Sequence, residues 1–184
     1  MPEKLEAAAA IGFDGVEIFE NDLLTFDGTP ADVRHIAEDL GLAITMFQPS
    51  RDFEAMPEPQ RARNLDRTEK KCDVMAAVGT DLLLVCSNVQ AAVIHDPTRA
   101  AADLREMAER AKRRSLRIGY EALAWGRQVN RWRQAGTSCN APSTPRSDSF
   151  WIVSTPWCWM TILPPSHPCP PKKSSSSNSP MPRA

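Results

Sequence analysis

Asp81-Leu82-Leu83-Leu84-Val85 is a short aliphatic run that opens into three reactive residues, Cys86, Ser87 and Asn88. It is the length of a strand and too short for a helix, and its unbroken apolar character suits a strand covered on both faces of a parallel sheet. Helical signals lie on either side. Upstream, an amphipathic stretch from about Glu58 to Val78 closes at Gly79; downstream, Asp96-Pro97 is a cap followed by proline at the first helical position, and that helix reaches about Arg114. Leu116-Arg117-Ile118-Gly119-Tyr120-Glu121 is then the next strand. Working back toward the start, Leu42 to Phe47 is a strand, Thr29-Pro30 starts a helix that ends at Gly41, and Asp14-Gly15-Val16-Glu17-Ile18 is a strand. Four strands separated by crossover helices define an α/β protein with a parallel sheet, open and doubly wound or closed as a barrel.

In both arrangements ligands meet the carboxyl ends of the strands. Each strand here exits into reactive side chains: Glu17 and Glu20; Gln48 and Arg51; Cys86, Ser87 and Asn88; Glu121, Trp125 and Arg127. Glu17, Gln48, Arg51, Asn88 and Arg127 are the candidates for binding substrate. Glu121 is a candidate metal ligand or general base, or an acid paired to Arg127. Arg51 suits a substrate carboxylate, or pairs with Asp52 or Glu54. Cys86 reads as a small strand-end residue, because neither His35 nor His95 lies in a motif that would activate it. Leu104, Met107, Ala108 and Ala111 form a core stripe, and Arg110, Lys112, Arg113 and Arg114 compensate a helix end. The sequence has no GxGxxG and no GxxxxGK[ST], so neither a dinucleotide nor a P-loop site has support.

The chain has 184 residues and a net charge of −1. That balance argues against nucleic-acid and anionic-membrane partners and leaves a small-molecule substrate. No apolar run approaches a membrane span, no signal-peptide order opens the chain, and five cysteines lack framework spacing, so a cytoplasmic protein with reduced thiols is expected. These averages conceal a break. Residues 1–130 carry 16 basic and 22 acidic residues, whereas residues 131–184 carry six basic residues and one acid, Asp148. The same 54 residues hold ten of the 16 prolines and four of the five tryptophans. A disordered tail is poor in Trp, and a folded domain does not carry so much proline.

Gly12 to Asp22, Phe47 to Glu54, Leu84 to Val89 and Ile118 to Arg127 resemble the bacterial metal-dependent 3-dehydroshikimate dehydratases. These belong to the xylose isomerase-like, sugar-phosphate isomerase/epimerase superfamily of TIM barrels. The likeness covers about residues 2–135. It implies an incomplete (β/α)8 TIM barrel of about four βα units, with the family's first strand preceding Pro2. It also implies a divalent metal ion (Mg, Mn or Co) held by a Glu, the Asp of a DSFH motif, a Gln near a QxADAP motif and a later Glu. Only the first has a counterpart, Glu121, which the resemblance raises to metal ligand and catalytic residue. The family removes the proton beside the ketone of 3-dehydroshikimate and expels a hydroxyl, giving protocatechuate. A sugar-phosphate isomerase or epimerase on the same barrel, and a non-enzymatic remnant, are the alternatives. A superfamily DNA-repair nuclease wants more histidines and a basic surface.

Because the likeness stops near the compositional break, residues 136–184 read as family sequence translated out of register. With one nucleotide lost near Gly136, each original codon is the last base of one printed codon plus the first two of the next. Trp151-Ile152 then hides Asp, and Phe150-Trp151 hides Leu. Trp157-Cys158, Cys158-Trp159, Trp159-Met160 and Met160-Thr161 hide Val, Leu, Asp and Asp without choice. Permitted codons elsewhere turn residues 151–161 into LDSFHTLVLDD and residues 169–183 into LPAEKIFFVQLADAP. The expectation is therefore a partial barrel domain over 1–135 and an irregular, frameshifted tail over 136–184, inactive as printed. Such a tail should form extended, poorly packed coil in which Trp151, Trp157 and Trp159 share no core.

Overall fold

The computed structural model describes residues 1–131 and 133–135, and the backbone of Phe150–Ser154. Helix α1 (Pro2–Ile11) leads into strand β1 (Gly15–Phe19), a short helix α2 (Glu20–Leu24) and helix α3 (Pro30–Asp39). Strand β2 (Ala43–Ser50), helix α4 (Gln60–Val78), strand β3 (Leu82–Cys86), helix α5 (Pro97–Lys112) and strand β4 (Arg117–Ala122) follow in strict alternation. All strands run parallel in the order β1-β2-β3-β4-β5, the topology of βαβ units wound in one direction.

The last strand, β5 (Phe150–Ser154), corrects the expectation for the tail. These five residues are not coil: their backbone pairs with β4, Ile118 opposite Phe150 through Ala122 opposite Ser154. The sheet therefore has five strands, one more than the four read from the sequence. The other readings of residues 136–184, including the hidden motifs and the packing of Trp157 and Trp159, lie outside the described residues.

Local chemistry accounts for the helix ends. Thr29 and Asp32 form a reciprocal capping box, and the Asp96 carboxylate accepts from the backbone N–H groups of Thr98 and Arg99. Gly79 ends α4 in the left-handed region, at φ 85°, where its N–H returns to the Met75 carbonyl.

Alternation along the strands creates two faces. Ile18, Phe47, Leu83 and Ile118 are partners across β1 to β4, and with Val85 and Tyr120 they are almost wholly buried. They form one cluster with Val33, Ala37, Met75, Val78, Leu104 and Met107 of the helices. Glu17 and Phe19 of β1, Gln48 of β2, Cys86 of β3 and Glu121 of β4 stand on the opposite face. At the β1 edge Phe19, Phe13, Ile11 and Leu24 are exposed.

An ionic ladder links α4 to α5. Arg61 bonds Asp103 at 2.6 Å, Arg110 bridges Glu106 and Glu69 at 2.8 and 3.0 Å, and Arg114 reaches Glu69 and Asp73. Arg110 and Lys112 stand in the last turn of α5, as the helix-end reading has it, and Arg110 and Arg114 also span to the neighbouring helix. That pairing was invisible before the two helices were side by side. Among the described residues no helix is long and apolar enough to cross a membrane.

Two substitutions check this account. Leu83→Ala empties a wholly buried position at the centre of the sheet and should cost about 3 kcal/mol in urea unfolding. Thr29→Ala loses only the capping box and should cost about 1 kcal/mol.

Candidate functional site

The carboxyl ends of β1 to β4 bring together most of the candidates named from the sequence. Glu17 and Gln48 lie on neighbouring strands, and the Gln48 amide donates to the Glu17 carboxylate at 2.6 Å. Further across the same face, Cys86 and Glu121 are direct partners in the β3–β4 ladder. The Cys86 thiol donates to Glu121 Oε2 at 3.3 Å, and both residues are buried. Burial first, and then the Glu121 carboxylate beside it, push the Cys86 thiol up to about 12. A thiol held in that form is a weak nucleophile, in agreement with the strand-end reading.

Arg51 opens the loop after β2 and is exposed. Among the described residues its guanidinium forms no ion pair with Asp52 or Glu54, although its charge acts on Cys86. Its backbone carbonyl accepts from Arg67 of α4, which ties the start of the loop to the helix. Arg127 does not pair with Glu121: its backbone N–H donates to the Asn88 carbonyl at 2.9 Å, and its Nε turns to the Val89 carbonyl at 3.4 Å. Gly126 permits this crossing, since a Cβ there would meet the Val129 carbonyl at 2.2 Å and Ser87 Oγ at 2.5 Å.

Asn88 is buried and committed internally. Its Nδ2 donates to the Glu54 carbonyl at 2.7 Å, and its Oδ1 accepts from the Gln90 N–H at 2.8 Å. Glu20 is likewise committed, to the buried ammonium of Lys71, which also reaches the Pro49 carbonyl and lies 5.4 Å from the centroid of the Phe47 ring. Burial lowers the Lys71 pKa, and Glu20 opposes that shift. His35 and His95 are exposed, as expected.

Sequence reasoning passed over Glu54 as a site residue and treated it only as a partner for Arg51. It is wholly buried: Oε1 accepts from the Asn88 N–H at 2.7 Å and from the Tyr120 hydroxyl at 2.8 Å. The one available signal was an acid set directly between Phe53 and Ala55, both of them core residues.

The described residues do not fit a divalent metal ion by themselves. Among them no three His, Cys, Asp or Glu side chains converge, and the neighbour of the Glu121 carboxylate on β3 is the protonated Cys86 thiol. One carboxylate does not hold a dehydrated divalent ion against water.

With this geometry in view, comparison with known proteins identifies the lineage. The profile of the family described as "Xylose isomerase-like TIM barrel" matches residues 5–141. The chain belongs to that family. Two proteins named 3-dehydroshikimate dehydratase are close in sequence. The Pseudomonas aeruginosa protein is 64% identical over 135 residues, which are 73% of this chain and 21% of that protein. The Pseudomonas putida protein is 60% identical over 158 residues, which are 84% of this chain and 25% of that protein. A solved structure titled "xylose isomerase-like TIM barrel/4-hydroxyphenylpyruvate dioxygenase fusion protein" superposes with a TM-score of 0.78 at 53% identity, covering 83% of this chain and 24% of that one. The chain thus spans about a quarter or less of the length of the relatives it matches.

Burial at Cys86 gives a direct check. Iodoacetamide at pH 8 should leave Cys86 unmodified in the folded chain and alkylate it in urea, as read by peptide mass mapping.

Proposed function

We propose that the chain is part of a 3-dehydroshikimate dehydratase and supplies about half of its barrel without being an active enzyme by itself. The observation that supports this most is the 64% identity over 135 residues to a protein of that name. The substrate is then a small cyclic keto acid, and the reaction removes a proton beside the ketone and expels hydroxide, giving protocatechuate and water.

The exposed Arg51, in no ion pair among the described residues, takes the substrate carboxylate, for which its planar fork is suited. Gln48, oriented by Glu17, presents its amide to the substrate's polar edge. Arg127 borders the same rim, and Asn88 holds the rim's loops in place. Glu121 is the residue proposed to contribute to the metal centre of a complete family member, where a divalent ion would supply electrostatic stabilisation of the enolate. The described residues lack the rest of that donor set, so no catalytic step is assigned to this chain through such an ion.

We further propose that residues 136–184 are family sequence in a shifted frame, with the missing Asp and Gln motifs hidden in the alternative translation. The compositional break after residue 130 and the unchosen Leu, Asp and Val codons support this reading.

The purified 184-residue chain should give no aromatic product from 3-dehydroshikimate with or without Mg, Mn or Co, followed in the near ultraviolet. Metal-dependent turnover by that chain would overturn the proposal. A protein with the frame restored and the barrel completed should produce protocatechuate and leave sugar phosphates unchanged. Resequencing the DNA for Ala135 to Trp151 tests the frame directly.

A further inference from the structure

The loop after β2 is held from every side. Asp52 and Ala55 both adopt left-handed backbone, at φ 55° and 56°, a conformation that is unfavourable for a non-glycine residue and persists only where surroundings impose it. The Asn64 amide of α4 donates to the Asp52 and Phe53 carbonyls at 2.7 and 3.0 Å. Asp103 of α5 accepts from the Ala55 N–H at 2.8 Å, and Arg99 donates to the Met56 carbonyl at 2.9 Å. The Asp52 carboxylate meets the Val89 N–H and the Gln90 amide. Glu54 reaches both the β3 loop, at Asn88, and β4, at Tyr120.

We propose that Glu54 is a positioning residue, the buried acid that fixes the 51–56 loop, and with it Arg51, against the loop leaving β3 and against β4. The benefit to a substrate rests on the reading of Arg51 given above; the staple itself does not. Two hydrogen bonds join Glu54 to Asn88 between the two loops and a third joins Glu54 to Tyr120 of β4, so moving the 51–56 loop breaks all three at once. Glu54 Oε2 is buried and has no hydrogen-bond partner among the described residues. A carboxylate would leave charge on that atom, whereas a neutral acid carries its proton there and keeps Oε1 as acceptor for both donors.

Burial is the largest cause of the raised Glu54 pKa and Asp52 on the same loop adds to it, outweighing the Asn88 N–H and Tyr120 hydroxyl, whose hydrogen bonds favour the ionised form. From β3 the neighbour is the protonated Cys86 thiol, and from β4 the Tyr120 hydroxyl. The helices contribute Asp103, already paired to Arg61, and the neutral Asn64. An acid with a raised folded pKa contributes stability that is fully present below its unfolded value. That stability is lost as pH rises through the folded value.

The test uses the full chain and its Glu54→Gln, Glu54→Ala and Arg51→Ala variants. Thermal unfolding is followed by circular dichroism from pH 5 to pH 8, with amide exchange of residues 51–56 and 87–90 followed by mass spectrometry. The parent midpoint should fall by about 3 °C or more as pH rises across that range. Glu54→Gln, the neutral isostere, should flatten that fall and keep slow exchange in both segments. Glu54→Ala should lower the midpoint at every pH and speed exchange in both segments by about tenfold or more. Arg51→Ala should retain the parent's profile, so a failure of the substrate reading leaves the staple standing and is told apart from failure of the staple. The proposal is overturned by a parent profile that is flat in pH, by Glu54→Gln behaving like Glu54→Ala, or by a parent chain with no cooperative transition.

Discussion

The parallel ladder between β3 and β4 is the constraint on which the rest of the molecule depends. In that register Leu83 faces Ile118 and Val85 faces Tyr120, and these four side chains form the floor on which α4 and α5 pack. The same register sets Cys86 beside Glu121 on the other face. A slip of one residue would exchange the two faces, sending the Glu121 carboxylate into the helical core and Tyr120 away from Glu54. Core packing and site geometry are thus two consequences of one pairing.

The polar groups at the strand ends divide by how completely they are satisfied. Asn88, Asp52, Asp103 and Asn64 each bond backbone groups of irregular loops, which have no ladder to satisfy them, and Asp52 and Asp103 also bond the Gln90 and Arg61 side chains. Glu17 and Gln48 pair with one another at a more open position, and Arg51 stays exposed. A rim in which the interior groups are committed and an outer cation is not is suited to receiving an anionic ligand on a rigid support. The metal chemistry of the family needs more donors than these residues provide, which is why the proposed role of the chain is a structural share of an enzyme.

Membership of the xylose isomerase-like family accounts for the winding of the sheet and for strand ends that all point to one rim. The fifth strand shows that backbone pairing is less demanding than side-chain chemistry. Residues 150–154 pair with β4 although they follow the compositional break, because a ladder is built from peptide groups that every non-proline residue carries. Phe150, Trp151, Ile152 and Val153 are also aromatic or β-branched residues that favour extended backbone.

The sequence by itself determined the order of the four strands and three longer helices from residue 15 to residue 122, but not the five-residue α2. Period-two and continuous apolar runs mark strands, and Thr29, Gly79 and Asp96 mark helix ends through contacts a few residues away. It also determined that Glu17, Gln48, Arg51, Cys86 and Glu121 stand at strand exits, since position along a strand is a local property. The partner of each group was decided only by tertiary structure. Arg51 lacks the acid expected beside it, Arg110 and Arg114 cross to α4, and Glu54 lies beneath the rim under Asn88 and Tyr120. Those pairings join residues more than 30 positions apart, and hydrogen bonds depend on distances that only packing of the strands and helices sets.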